Sequence, residues 1–150
     1  MVSQDYEDLF KILNAYRIKY LVVGAHAVIF YTKPRFTKDL DVWIPPELND
    51  QKKVYAALKK YGAPLKGISP KDFADKQMFY QIGVAPVRID ILMSVPGVSA
   101  KSAWKNRQKS SYGKASICIL SKEELISAKK EIGRPDDLMD LRKLERRSRK

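Results

Sequence analysis

Asp39-Leu40-Asp41-Val42-Trp43-Ile44, halted by Pro45-Pro46, alternates acidic and apolar side chains with a period of two. That period belongs to a β-strand, whose successive side chains leave opposite faces of the sheet. Leu40, Val42 and Ile44 therefore share a face suited to a core, and Asp39 and Asp41 share the other. Two carboxylates at i and i+2 are close enough to offer hard oxygen ligands to divalent cations. Acids on the solvent face of an edge strand give the same pattern with no metal, so this stretch by itself identifies a strand and leaves its chemistry open.

Upstream, Tyr20-Leu21-Val22-Val23 is a β-prone run closed by Gly24, and Ala25 to Tyr31 has helical composition up to Lys33-Pro34. This strand, glycine turn and helix place the N–H groups of a helix N-terminus at Gly24, Ala25 and His26, where they can hold a phosphate. Such a turn is also ordinary packing. Before it, Tyr6, Leu9, Phe10, Leu13 and Tyr16 recur at helical spacing. After it, Asn49 to Tyr61 reads as an amphipathic helix capped by Asn49 or Asp50 and ended by Gly62. Met78 to Val84 and Pro86 to Met93 are two further β-rich runs.

The second of these runs contains Val87-Arg88-Ile89-Asp90-Ile91-Leu92, an acid inside an otherwise buried strand. A buried charge needs a counter-charge or a metal. Arg88 lies on the same face two residues away, so an Arg88–Asp90 ion pair and a metal site with Asp39 and Asp41 are both open. Ser99 to Asn106 suggests a short helix and Ser116 to Leu120 a strand. Ser121 then caps a helix closed by Gly133. A last helix opens at Pro135 and runs into the basic Arg146-Arg147-Ser148-Arg149-Lys150, a tail of about 146–150 expected to fray. The elements make an α+β chain with a mixed β-sheet of about four to five strands and helices packed mainly on one face.

At 150 residues the chain fits one domain, 1–150, with no repeat and no dividing linker. Its formal charge of +12 favours nucleic acid, nucleotides or an acidic partner. The lone Cys118 sits in an apolar run and excludes a disulfide framework, which suits a reducing, cytoplasmic setting. The opening Met1-Val2-Ser3-Gln4-Asp5 lacks a signal-peptide pattern, and no run of about 18 apolar residues occurs, so no membrane association is expected.

Val23-Gly24-Ala25-His26-Ala27, Arg35-Phe36-Thr37-Lys38-Asp39-Leu40-Asp41 and Ile89-Asp90-Ile91-Leu92 together resemble the DNA polymerase beta-like nucleotidyltransferase superfamily, specifically its minimal and AbiEii-type toxin–antitoxin members. Those proteins carry a Gly-Gly or Gly-Ser turn, then Asp-x-Asp, then a third Asp flanked by hydrophobics. Lys129-Lys130-Glu131-Ile132-Gly133-Arg134-Pro135-Asp136-Asp137-Leu138-Met139-Asp140-Leu141 is similar to their closing segment, so the likeness spans roughly Tyr20 to Leu144. One departure is Ala25, which replaces the second small turn residue and has no hydroxyl to offer a phosphate. His26 can serve either as a replacement donor or as a structural histidine.

The resemblance implies a nucleotidyltransferase fold and transfer of a nucleoside monophosphate (NMP) from a nucleoside triphosphate (NTP) to a hydroxyl, with release of pyrophosphate. It implies two Mg²⁺ or Mn²⁺ ions held by Asp39, Asp41 and Asp90, which clamp the attacking and leaving oxygens. Asp90 would also take the hydroxyl proton. Gly24, Ala25, His26, Arg35, Thr37, Arg88, Lys129 and Arg134 are the candidate nucleotide and phosphate contacts. The lysines and arginines of Gln51 to Tyr61, Lys101 to Lys114 and the tail suit an RNA acceptor, such as a tRNA-like one. A cognate toxin or antitoxin protein is the other acceptor such relatives suggest. A catalytically weak or inactive antitoxin or nucleic-acid-binding module on the same fold is the alternative.

Asp136 and Asp137 read as first-turn acids of the last helix, and Asp140 as a partner for Arg134. Phe30, Tyr31, Trp43, Tyr55 and Tyr61 read as core or sheet cover. Phe79, Tyr80 and Trp104 fit either packing or base stacking.

Overall fold

The computed structural model of the chain describes residues 3–32, 39–83 and 87–133, with 142 and 144. Ser3 caps α1 (Gln4–Ala15) by accepting from the Tyr6 N–H, and Tyr6, Leu9, Phe10 and Leu13 form its buried stripe. The chain then enters β1 (Leu21–Val23), which is buried throughout because strands flank it on both sides. No residue separates β1 from α2 (Gly24–Tyr31). Val23 occupies the cap position without a side-chain hydrogen bond, and the first turn of α2 carries no acid.

Next come β2 (Asp39–Trp43) and α3 (Gln51–Tyr61), the latter capped by Asp50 through the Lys52 N–H and ended at left-handed Gly62. A short 3-10 turn at Pro70–Ala74 precedes β3 (Phe79–Ile82) and β4 (Arg88–Leu92). The remaining elements are α4 (Ala100–Lys105), β5 (Gln108–Tyr112), β6 (Ala115–Ile119) and α5 (Lys122–Ile132), whose first turn Ser121 caps. The final helix expected from Pro135 and the tail of about 146–150 lie outside the described residues.

Among the described residues the strands form one mixed sheet of six in the order β3-β4-β2-β1-β6-β5. β2 runs parallel to β4 and β1 parallel to β6, while β1–β2, β3–β4 and β5–β6 are antiparallel. The strand beyond the expected four to five is β5, which forms a hairpin with β6 across Gly113-Lys114. Its residues Gln108, Lys109 and Ser111 are exposed, while Tyr112 packs against Phe10 and Tyr6, so the strand is held by backbone pairing with β6 and by that one aromatic contact.

Leu40 and Val42 of β2 pair with Ile89 and Ile91 of β4, and all four are buried. On this face Phe10 of α1 stacks on Tyr20 at 5.8 Å, and the Tyr61 hydroxyl of α3 donates to the Asp5 carbonyl. The opposite face carries the β2 acids and is partly covered by α5, since Leu125 and Lys129 line the same cavity as Asp41. Trp43, Tyr31, Tyr55 and Tyr61 pack as expected, whereas Phe30 stands 44% exposed at the end of α2. Among the described residues no helix is long and apolar enough to cross a membrane.

Ile91, next to Asp90 in β4, is fully buried. Ile91→Ala removes packing on both sides of it and is expected to cost about 2–5 kcal/mol in urea unfolding. A loss below about 0.5 kcal/mol would show that this face is not the core.

Candidate active site

Strand register assembles the site. In the parallel β2–β4 pair, Asp39 lies opposite Arg88 and Asp41 opposite Asp90, all four on one face. Val23, the last residue of β1, lies opposite Asp41 on the other side of β2. The chain leaves β1 directly into Gly24, so the start of α2 meets the Asp41 carboxylate. A Cβ built on Gly24 would stand 2.1 Å from Asp41 Oδ2, and Gly24 has a φ of +66°. Both space and backbone conformation demand glycine here. These residues line a cavity of about 470 Å³ whose walls also include Phe79 and Lys129.

Charge in this cavity is tightly balanced. Asp90 is only 5% exposed, and Arg88 grips it side-on, with Nε donating to Oδ1 at 3.0 Å and Nη2 to Oδ2 at 3.2 Å. The same Nε lies 3.8 Å from Asp39 Oδ1. The hydrogen bond to Asp90 raises the Arg88 pKa further, so the guanidinium remains charged. Burial, followed by the charge of Asp90 and a hydrogen bond with it, pushes the Asp41 carboxyl up to about 7, with Asp39 adding to the rise and Lys129 opposing it. Two crowded carboxylates favour a shared proton over two negative charges. Lys129 is 9% exposed on α5, so it faces the site rather than solvent.

Gly24, Asp39, Asp41, Asp90, Arg88 and Lys129 are thus brought together. The ion-pair reading of Asp90 is realised through Arg88, and Asp90 also lines the cavity that holds the β2 acids. Ala25 and His26 are not among the residues lining this cavity. His26 instead lies edge-on to Tyr6 at 5.6 Å and lines a separate apolar cavity with Phe10, Phe30 and Tyr112. Burial lowers its pKa, Asp39 partly offsetting this, and Nε2 is buried without a hydrogen-bond partner among the described residues. That placement favours the structural histidine over the replacement phosphate donor. Arg35, Thr37, Arg134, Asp136, Asp137 and Asp140 lie outside the described residues.

Phe79 stands 51% exposed on the cavity wall, a position its place in a β-rich run did not decide. Tyr80 points the other way, is buried, and hydrogen-bonds the Pro64 carbonyl. Trp104 packs under the Arg107 guanidinium at 4.0 Å from its ring centroid. Among the described residues, no three His, Cys, Asp or Glu side chains converge in an arrangement ready for a metal ion. The converged part of the triad is Asp41 with Asp90, while Arg88 bridges Asp90 to Asp39.

No family model matches the sequence, and no curated protein matches it. Among solved structures, the chain is similar to the lincosamide antibiotic adenylyltransferase LnuA in lincomycin-bound form, with 13% identity, a TM-score of 0.59, and coverage of 96% of this chain and 97% of that one. It is likewise similar to a putative nucleotidyltransferase, TM1012, from Thermotoga maritima, at 15% identity and a TM-score of 0.58 over 95% of this chain and 94% of that one. The antibiotic-resistance factor ANT(2'')-Ia matches at 10% identity and a TM-score of 0.61, over 93% of this chain and 80% of that one. At these identities the likeness establishes the fold, which is the nucleotidyltransferase fold.

Gly24→Ala is expected to destabilise the chain by on the order of 1–3 kcal/mol from backbone strain alone, and to displace Asp41 as well. Denaturant unfolding measures it, and an unchanged midpoint would refute the close approach. Asp41 also makes stability depend on pH. The unfolded chain loses this proton near 3.8 and the folded chain near 7, so between those values the folded state binds more protons. Stability should therefore fall as pH rises from about 4 to about 7 and then level off for this component. Asp41→Asn should flatten the slope in unfolding measured with divalent cations chelated, and a slope left intact would contradict the assignment.

Proposed function

We propose that the chain is a metal-dependent nucleotidyltransferase that moves an NMP from an NTP to a hydroxyl and releases pyrophosphate. The observation that carries this reading is the crowded Asp41–Asp90 pair facing the Gly24 start of α2 across one cavity, within a nucleotidyltransferase fold. The α2 N-terminus has N–H groups with no capping side chain and no first-turn acid, which suits the phosphate chain of an NTP. Lys129 adds a positive charge on the same cavity. Arg35, Thr37 and Arg134 remain candidate contacts from sequence alone, whereas Ala25 would contribute only its backbone.

The donor set fits a divalent cation. Asp41 and Asp90 are hard oxygen ligands whose burial and crowding raise the Asp41 pKa, and a cation would replace the Asp41 proton as the neutralising charge. Asp39, Asp41 and Asp90 would hold Mg²⁺ or Mn²⁺, two ions in all, which when bound supply neutralisation of the phosphate oxygens and a more acidic acceptor hydroxyl. Asp90 then accepts the proton as the hydroxyl oxygen bonds to the α-phosphorus and the bond to pyrophosphate breaks. Arg88 spans Asp90 and Asp39 through Nε and holds Asp90 through Nη2 as well, so only its remaining N–H groups would be available to a phosphate. The minimal and AbiEii-type group, and with it an RNA or cognate toxin or antitoxin protein as acceptor, is the subgroup the sequence favours.

A second reading, an inactive antitoxin or nucleic-acid-binding module, is favoured by Arg88, which occupies two of the three carboxylates, and by Ala25 in the turn. Incubation with each α-labelled NTP, Mg²⁺ or Mn²⁺, and RNA or cell lysate separates the two. The native chain should label an acceptor, and the variant carrying Asp39→Ala with Asp41→Ala, checked for folding by circular dichroism, should fall by about 100-fold or more. Equal labelling by both would remove these residues from the chemistry, and no labelling by either would favour the inactive module.

A further inference from the structure

The carboxylate cavity has two chemically different sides. Toward β1 and α5 it offers helix N–H groups and Lys129. Toward the β3 edge it offers Phe79, Leu92, Val95 and Pro96, a wall of apolar surface. Phe79 lies opposite Leu92 and Gln81 opposite Asp90, so Phe79 and Gln81 share the face of the acids. Among the described residues β3 is the last strand on this side of the sheet. A group approaching Asp90 from there crosses Gln81 and Phe79 first.

A half-exposed phenylalanine on the rim of a charged cavity offers a flat π face with nothing charged of its own. Beside it Gln81 is exposed, and its carboxamide oxygen in the satisfied orientation accepts from the Arg88 guanidinium. An aromatic platform flanked by planar amide and guanidinium groups is the chemistry that holds an unpaired base by stacking and edge hydrogen bonds. The chain's charge of +12 supplies the attraction for a polyanion that a neutral small acceptor would not use. We propose that the β3 edge is the acceptor side of the site, and that Phe79 stacks the 3′-terminal nucleoside of a single-stranded RNA. Its terminal hydroxyl then faces Asp90, a role that rests on the transferase reading above, whereas the stacking itself does not.

The test uses a short single-stranded RNA with 2-aminopurine as its 3′-terminal base, whose fluorescence is quenched by stacking, and a 5′ dye that reports binding by anisotropy. At low salt the native chain should bind and quench. Phe79→Ala should weaken binding by roughly 5- to 150-fold and relieve the quench. Phe79→Trp should preserve both, and 2-aminopurine moved to the interior should be quenched less. Phe79 is exposed, so neither substitution threatens the fold. RNA that does not bind, that binds without quenching, or that is quenched equally by Phe79→Ala overturns the proposal. In NTP labelling of RNA, Phe79→Ala should raise KM for RNA and leave KM for NTP unchanged. Quenching with no labelling of any acceptor keeps the platform and sinks the transferase reading. Labelling of protein alone with no RNA binding does the reverse.

Discussion

The parallel register of β2 and β4 is what makes a site out of scattered acids. Side chains alternate along a strand, so a slip of one residue would turn Asp90 into the core and leave Asp41 opposite an isoleucine. What prevents the slip is burial on the other face, where Leu40 and Val42 meet Ile89 and Ile91. The hydrophobic effect that closes the core therefore sets, one strand-width away, the separation of two carboxylates. The chain returns through α3 to β3 and reverses into β4, which brings β4 parallel to β2, and β1 entering antiparallel on the far side of β2 delivers Gly24 to the same point.

Crowding acids in this way raises a free-energy cost that the surrounding groups share. Arg88 neutralises Asp90 and reaches Asp39, Lys129 approaches from α5, and the remaining excess is relieved by a proton near Asp41. The site is thus close to neutral in a strongly basic chain. Under the proposed function, such a cavity would take an anionic nucleotide only together with cations, because the acids would otherwise repel it.

Much of this was legible in the chain. The alternation around Asp39 and Asp41, the acid inside a buried run at Asp90 and the turn at Gly24 each gave the right face, because period and glycine conformation are local properties. Lys129 came from resemblance alone, since a lysine on a basic helix has no local mark of burial. The β5 strand was hidden because Gln108-Lys109-Ser110-Ser111-Tyr112 has no alternating apolar pattern; backbone bonds to β6 and the packing of Tyr112 on Phe10 hold it. Phe30 misled, and His26 stayed open, for a related reason. Composition shows that a residue belongs to a helix, but the direction it faces is set by what packs against α2.

The same polar β5 closes one end of the sheet. An outermost strand presents unpaired amides and carbonyls that can recruit a strand from another molecule. Here that margin carries Lys109, exposed beside serines and a glutamine, and offers no apolar strip on which a second sheet could grow. Part of the basic surplus thus acts as a gatekeeper against polymerisation, keeping the sheet finite on that side.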